Sequence, residues 1–201
     1  DDLRIQTVEE RGDMYRKHHP ELVEKWSTNE DRIMLLRDLD GDFIVDKSTV
    51  YAGGFDDLLA GTGAGLLYLD GDVYYTCIPD LWKLRDTDGD DTFDEFTLLK
   101  KLDPGWEHSA HTIIMTEDEK ALYVVSGNHS SVPEGVHSLQ PPVWKKDSLL
   151  PAMVDPSGHA TGIRAPGGWI CRVTPDGLHW TMVATGFRNS VDLAINREGE
   201  L

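Results

Sequence analysis

Apolar residues recur in two regimes along the chain. In the first, "TVEERGDMYRKHHPELVEKW" sets Met14, Leu22, Val23 and Trp26 at loosely helical spacing within a charged stretch interrupted by Pro20. That pattern predicts short helices broken at the proline, because proline cannot continue a helix from inside it. His18 and His19 are adjacent and so do not share a helix face, which reads as two solvated side chains. Residues 1–32 are therefore expected to form an irregular, helical lead-in.

From Ile33 onward the period shortens. "IMLLRD", "GLLYLDG", "VYYTCI", "LWKLRD", "FTLLKKL", "TIIMT", "ALYVVSG", "WICRV" and "WTMVATGF" are β-branched or aromatic runs, each bounded by Asp, Gly, Pro or Asn. Such runs predict strands joined by turns, an all-β meander of antiparallel sheet without helical crossovers.

The runs also repeat. "LWKLRDTDGDDTFDEFTLLKKL" overlays "RIMLLRDLDGDFIVDKSTVYAGGF" at an offset of 48 residues, and "WICRVTPDGLHWTMVATGF" keeps the same strand, polar turn and strand. A period of this size with four strands per unit is the pattern of β-propeller blades. On that reading residues 33–201 are a partial arc of a β-propeller: the outer half of one blade, two complete ones, and "NSVDLAINREGEL" as the first hairpin of a fourth. Residues 129–167 are an insertion in the third. A propeller avoids exposed edges by closing its ring, so the remaining blades are expected from the same chain or an assembly.

Composition narrows the partners. The 201 residues carry a formal net charge of −17, which argues against nucleic acid or an anionic membrane as partner. No apolar run approaches the ~20 residues that cross a bilayer. The chain has neither an initiator Met nor a signal-like start, and is expected to be a processed chain or a fragment. Two cysteines, Cys77 and Cys171, leave a disulfide and two buried thiols equally open.

The acidity clusters. Asp38, Asp40, Asp42 and Asp46, and again Asp86, Asp88, Asp90 and Asp94, stand at the spacing of a calcium loop. An EF-hand needs Gly at position 6 and a bidentate Glu at position 12. These loops carry Phe43 and Asp91 at position 6 and Thr49 and Thr97 at position 12, and each lies between strands. Two readings follow: a structural calcium site, or a turn in which Asp bonds its own backbone.

The unrepeated polar residues gather at "WEHSAH" (Trp106–His111), "GNHS" (Gly127–Ser130) and "GFRN" (Gly186–Asn189). "GTGAG" (Gly61–Gly65) follows no βαβ pattern and reads as a turn, and the Asn128 sequon reads as accidental. His137, His159 and His179 have no partner at ligand spacing and stay unassigned.

"HSAHTIIMTEDEKALYVVSGN" followed by "ATGFRNSVDLAINREGEL" resembles the soluble, pyrroloquinoline-quinone-dependent glucose/sorbosone dehydrogenase superfamily. Residues 33–201, with "LRDTDGD", "GNHS" and "APGGWICR", resemble still more the membrane-bound dehydrogenase-type propellers of planctomycete-type bacteria. His108 stands ten residues before Asp118, as the family's catalytic His stands before its turn Asp, and Arg188 and Asn189 match the family's quinone-facing Arg-Asn pair.

The resemblance implies a propeller that closes with six blades, a sugar or alcohol substrate, pyrroloquinoline quinone and calcium as cofactors, a c-type cytochrome as electron acceptor, and a bacterial periplasmic or extracellular location. It makes His108 the general base, with His111 beside it, and has Arg188 stabilise charge on the quinone. Cys77 and Cys171, in neighbouring units and an oxidising compartment, are then expected to lie close, with a bridge between them left open. The chain departs from the family in "GNHS" for "GD", "TEDE" for "GPDG", and the lack of a CxxCH haem motif. Two other classes share such a fold: a non-catalytic glycan- or protein-binding propeller, and a calcium-dependent lactonase-like hydrolase.

Overall fold

The structure is a computed structural model that describes residues 4–5, 8–56, 63–102, 108–138, 161–163 and 167–201. The lead-in holds two short helices, α1 (Val8–His18) and α2 (Pro20–Trp26). Glu9 and Glu10 open α1 and Arg16, Lys17 and His18 close it, opposing the helix dipole at both ends. Pro20 starts α2, where its missing N–H costs nothing. The helices meet through Tyr15 and Trp26, whose rings lie edge to face at 5.0 Å.

The rest is β-sheet. β1 (Asp31–Arg37) and β2 (Lys47–Phe55) form an antiparallel pair. β3 (Gly63–Leu69), β4 (Asp72–Cys77), β5 (Asp80–Arg85) and β6 (Glu95–Lys101) form a four-stranded antiparallel sheet in chain order. β7 (Ala110–Met115), β8 (Leu122–Ser126), β9 (His137–Ser138), β10 (Gly168–Val173) and β11 (Trp180–Phe187) form a third sheet in the order β7-β8-β10-β11-β9. All nine apolar runs lie on strands. β9 falls inside the 129–167 insertion and pairs parallel with β11, so the insertion reaches the outer edge of this sheet.

The repeat holds to the level of register. Arg37, Leu36, Leu35, Met34 and Ile33 pair with Lys47, Ser48, Thr49, Val50 and Ala52. Arg85, Leu84, Lys83, Trp82 and Leu81 pair with Glu95, Phe96, Thr97, Leu98 and Lys100, the same partners 48 residues on. Even the bulge recurs, between Ile33 and Met34 and between Leu81 and Trp82.

The sheets stack, with the four-stranded one in the middle, and this explains why all six residues of β4 are buried. Successive side chains of a strand point to opposite faces. Val73, Tyr75 and Cys77 pack with Ile33, Tyr51 and Ala52 of the first sheet. Tyr74 packs with Leu81, Leu122, Val124 and Trp169 toward the third. Each fully buried Leu or Val contributes about 1.5–3 kcal/mol, and Leu81, Leu122 and Val124 have no exposed surface.

Three expectations are corrected. Residues 188–201 carry no strand, only a turn in which Asn196 N–H donates to Glu200 O (2.8 Å), because no neighbouring strand among the described residues supplies ladder partners. Gly63–Gly65 of "GTGAG" lie in β3 and not in a turn (Gly61 and Thr62 lie outside the described residues), for a packing reason: a Cβ on Gly65 would stand 2.4 Å from His111 O. Cys77 and Cys171 are thiols with no disulfide between them. They occupy the two different cores on opposite faces of the middle sheet, so the alternation along β4 turns Cys77 away from Cys171.

Candidate functional site

Three segments meet at one end of the third sheet: the approach to β7, the turn after β8, and the segment leaving β11. Backbone bonds lace them together. Gly127 N–H donates to Ser109 O (2.9 Å), His129 N–H to His108 O (2.9 Å), and Asn128 N–H to Arg188 O (2.8 Å). Gly127 is required at this junction, since a Cβ there would lie 2.5 Å from Asn189 Oδ1 and 2.6 Å from His108 O.

The four residues expected to carry the chemistry are brought together by this lacing. His108 is buried at 3% exposure. Its Nδ1 lies 2.7 Å from Asn128 Oδ1 and its Nε2 lies 3.4 Å from Arg188 Nη1. An amide oxygen accepts, so Nδ1 carries the proton; a guanidinium donates, so Nε2 presents its lone pair. Both contacts call for the same tautomer. His111 takes the opposite one, with Nε2–H donating to Asn189 Oδ1 at 2.6 Å. Arg188 is exposed, while His111 and Asn189 are half-buried.

"GNHS" stands out in the sequence only as a polar cluster, and the structure gives two of its residues a place beside His108. Asn128 sets the His108 tautomer, and the His129 ring stacks on His108 at 4.8 Å and 27°. The signal was a polar run at the end of a strand that enters the core. Below the cluster, Thr76 of the middle sheet holds β7 in place: its hydroxyl donates to His111 O (2.6 Å) and accepts from Gly65 N–H (2.7 Å). Trp106 and Glu107 of "WEHSAH" and His159 lie outside the described residues. His137 sits on β9 and His179 is exposed.

The two acidic loops precede this cluster in the chain and are alike in detail. Asp38 accepts from Gly41 and Phe43 N–H (2.7 and 2.8 Å), Asp40 from Asp42 N–H, Asp42 from Ile44 N–H, and Asp46 from Leu39 N–H (2.7 Å). Asp86, Asp88, Asp90 and Asp94 repeat every bond 48 residues later. Phe43 and Asp91 adopt φ of 68° and 74°, the left-handed backbone that a glycine would ordinarily supply at position 6.

Oxygens of Asp38, Asp40 and Asp42, and of Asp86, Asp88 and Asp90, lie within 4.8 Å of one another and could hold a cation. Asp46 and Asp94 fall outside these trios and close the loops through backbone. The N–H groups of Phe43 and Gly41 hold the Asp38 carboxyl below its usual range. At Asp86 burial pushes upward, and the N–H groups of Gly89 and Asp91 outweigh it.

A family model described as "Domain of unknown function (DUF7133)" matches residues 6–140. That span contains both acidic loops, His108, His111 and Asn128, and stops short of Arg188 and Asn189. No curated protein and no solved structure matches the chain. No helix among the described residues is long and apolar enough to cross a membrane.

Proposed function

Because the chain belongs to the DUF7133 family, a domain family of unknown function, we propose its role from the geometry: a quinone-dependent sugar or alcohol dehydrogenase on a β-propeller. The architecture supports the propeller in three ways. The middle and third sheets are each built on four antiparallel strands that follow one another outward. Their first strands, β3 and β7, pack side by side, as strands lining a common centre would. β1–β2 repeats the outer half of the middle unit, register included.

The observation that carries the function is the pairing of His108 with Asn128 and Arg188, beside His111 with Asn189. Two imidazoles, a guanidinium and two amides suit a polycarboxylate cofactor, and Arg188, His111 and Asn189 would hold it. Pyrroloquinoline quinone, when bound, supplies the acceptor for the hydride lost from the substrate carbon. His108 Nε2 takes the substrate hydroxyl proton, and Asn128 keeps Nδ1 protonated so that Nε2 remains the basic atom. Burial of His108 keeps competing water away. For Nε2 to accept that proton Arg188 would have to leave it, and the carboxylates of the cofactor would be its new partner.

That movement also defines the rival. With Arg188 at Nε2 the base is engaged, which favours a non-catalytic glycan- or protein-binding surface if the guanidinium stays there. The test is a titration of the protein with the quinone, followed by absorbance, and then dye reduction with sugars and alcohols. Binding with dye reduction that His108→Ala lowers by ~10²–10⁴-fold supports the dehydrogenase. Quinone binding without turnover, or equal turnover in parent and variant, overturns His108 as base.

A further inference from the structure

Among the described residues, the first sheet ends at an open edge. β1 pairs with β2 on one side, and on its other side no strand pairs with it among the described residues. Its counterpart by the repeat, β5, has β4 there: Arg85 faces Asp72, Leu84 faces Val73, Trp82 faces Tyr75 and Leu81 faces Thr76. Arg85 Nε donates to Asp72 Oδ1 at 2.6 Å.

The face beneath the open edge is half covered. On β4, Val73 and Tyr75 are buried under the first sheet at 8% and 7% exposure. Their partners across the ladder, Tyr68 and Leu66 on β3, point to the same face and stand 69% and 56% exposed. Between them and β1 runs a trough of about 560 Å³, lined mainly by apolar side chains from Ile33 to Leu36, Leu66, Tyr68 and Val73. An unpaired strand edge beside uncovered apolar residues is a template for an added strand.

We propose that this edge is a strand-addition site, and that its occupant is a β-hairpin with the pattern of β3–β4. The hairpin pairs antiparallel with β1 in the register that β4 takes on β5, and covers Leu66 and Tyr68. The register places an acidic residue opposite Arg37, where Asp72 stands opposite Arg85. Charge favours that arrangement, because Arg37 and Lys47 share the single carboxylate of Asp91. Self-pairing of β1 between two copies fits less well, since each middle sheet would have to enter the place held by the other copy's β3. The proposal stands on the repeat and the open edge, and is independent of the quinone chemistry.

The probe is a fluorescein-labelled peptide copying residues 63–78 with Cys77→Ser, titrated into the whole chain by anisotropy, with amide exchange read over β1. The expected result is saturable binding with new protection at residues 32–37. Affinity falls at least tenfold with Tyr68→Lys or Leu66→Lys in the chain, both at exposed positions, and with Asp72→Lys in the peptide. Absence of saturation, or equal affinity in all these variants, overturns it. So does a chain that is dimeric in solution through β1, recognised by Met34→Lys returning it to a monomer.

Discussion

Arg37 and Asp91 join the two acidic loops across 54 positions of sequence. Arg37 contributes Nε and Nη2 to the Asp91 carboxylate, and Lys47 Nζ reaches the same group at 2.9 Å. Phe93 N–H adds a backbone bond to Tyr51 O at 3.0 Å. Asp91 also holds the left-handed position of its own loop, so one residue shapes a turn and ties two sheets together.

The hydrogen bonds from Arg37 and Lys47 pull the Asp91 pKa down to about 2, against about 3.9 for an unfolded Asp. A depressed folded pKa stabilises the fold above the unfolded value and ceases to do so as pH falls through the folded one. Asp91→Asn is therefore expected to melt at lower temperature than the parent at pH 6. The gap should close as pH falls from about 4 toward about 2, in melts followed by circular dichroism. A gap of the same size at both ends of that range would show that the carboxylate charge is not what the tie uses.

Each acidic loop presents three carboxylates in a 4.8 Å cluster, yet all six already accept a backbone N–H. Calcium is expected to bind and to raise the melting temperature. At a hundredfold excess over Kd the gain is ~2.7 kcal/mol per site. Asp86→Asn with Asp88→Asn should remove the calorimetric heat of the second loop and leave the first. Identical heats in parent and double variant would leave these loops as metal-free turns.

Much of this was legible in the sequence, and the failures have physical causes. Nine of the eleven strands among the described residues were visible because β-branched runs alternate with Asp, Gly and Pro. The 48-residue repeat was visible because the acids that shape its loops are local signals. β9 was not, since His137–Ser138 pairs only through neighbours distant in sequence. The convergence of His108, His111, Arg188 and Asn189 could be anticipated from their strand-end positions, whereas Asn128 as the partner of His108 depends on the turn after β8. The cysteines failed because counting strands does not say which face of a buried sheet a residue takes.

Burial pushes the thiols of Cys77 and Cys171 up to about 12; nearby Asp31 and Asp80 add to the effect at Cys77. Both should stay protonated and unreactive at neutral pH. In the native protein, alkylation is expected to be slow. In denaturant without reductant, mass spectrometry should find two fast adducts. A protein that takes up none until reduced would contain the bridge that the two separate cores argue against.

Thr76 links the middle sheet to the strand that carries His111. Thr76→Val keeps the shape and removes the hydroxyl shared by Gly65 N–H and His111 O. Disrupting buried hydrogen bonds of this kind costs about 1–3 kcal/mol. Chemical denaturation should record that loss with an unchanged m-value. A stability equal to the parent's would mean that the hydroxyl does not fasten β7.

The tautomer of His108 is the most direct property of the candidate site that can be measured without substrate or cofactor. Asn128 Oδ1 at 2.7 Å and Arg188 Nη1 at 3.4 Å both require a proton on Nδ1 and a lone pair on Nε2. In ¹⁵N-labelled protein at a pH where the ring is neutral, the Nδ1 shift of His108 should be that of a protonated nitrogen and the Nε2 shift that of a bare one. His111, bonded through Nε2 to Asn189 at 2.6 Å, should show the reverse. Asn128→Ala removes the acceptor at Nδ1, so the His108 pattern should move toward the mixed tautomers of a free imidazole while that of His111 is retained. A shift pattern unmoved by Asn128→Ala would mean that Asn128 does not orient the ring, and the proton-accepting role given to Nε2 would lose its support.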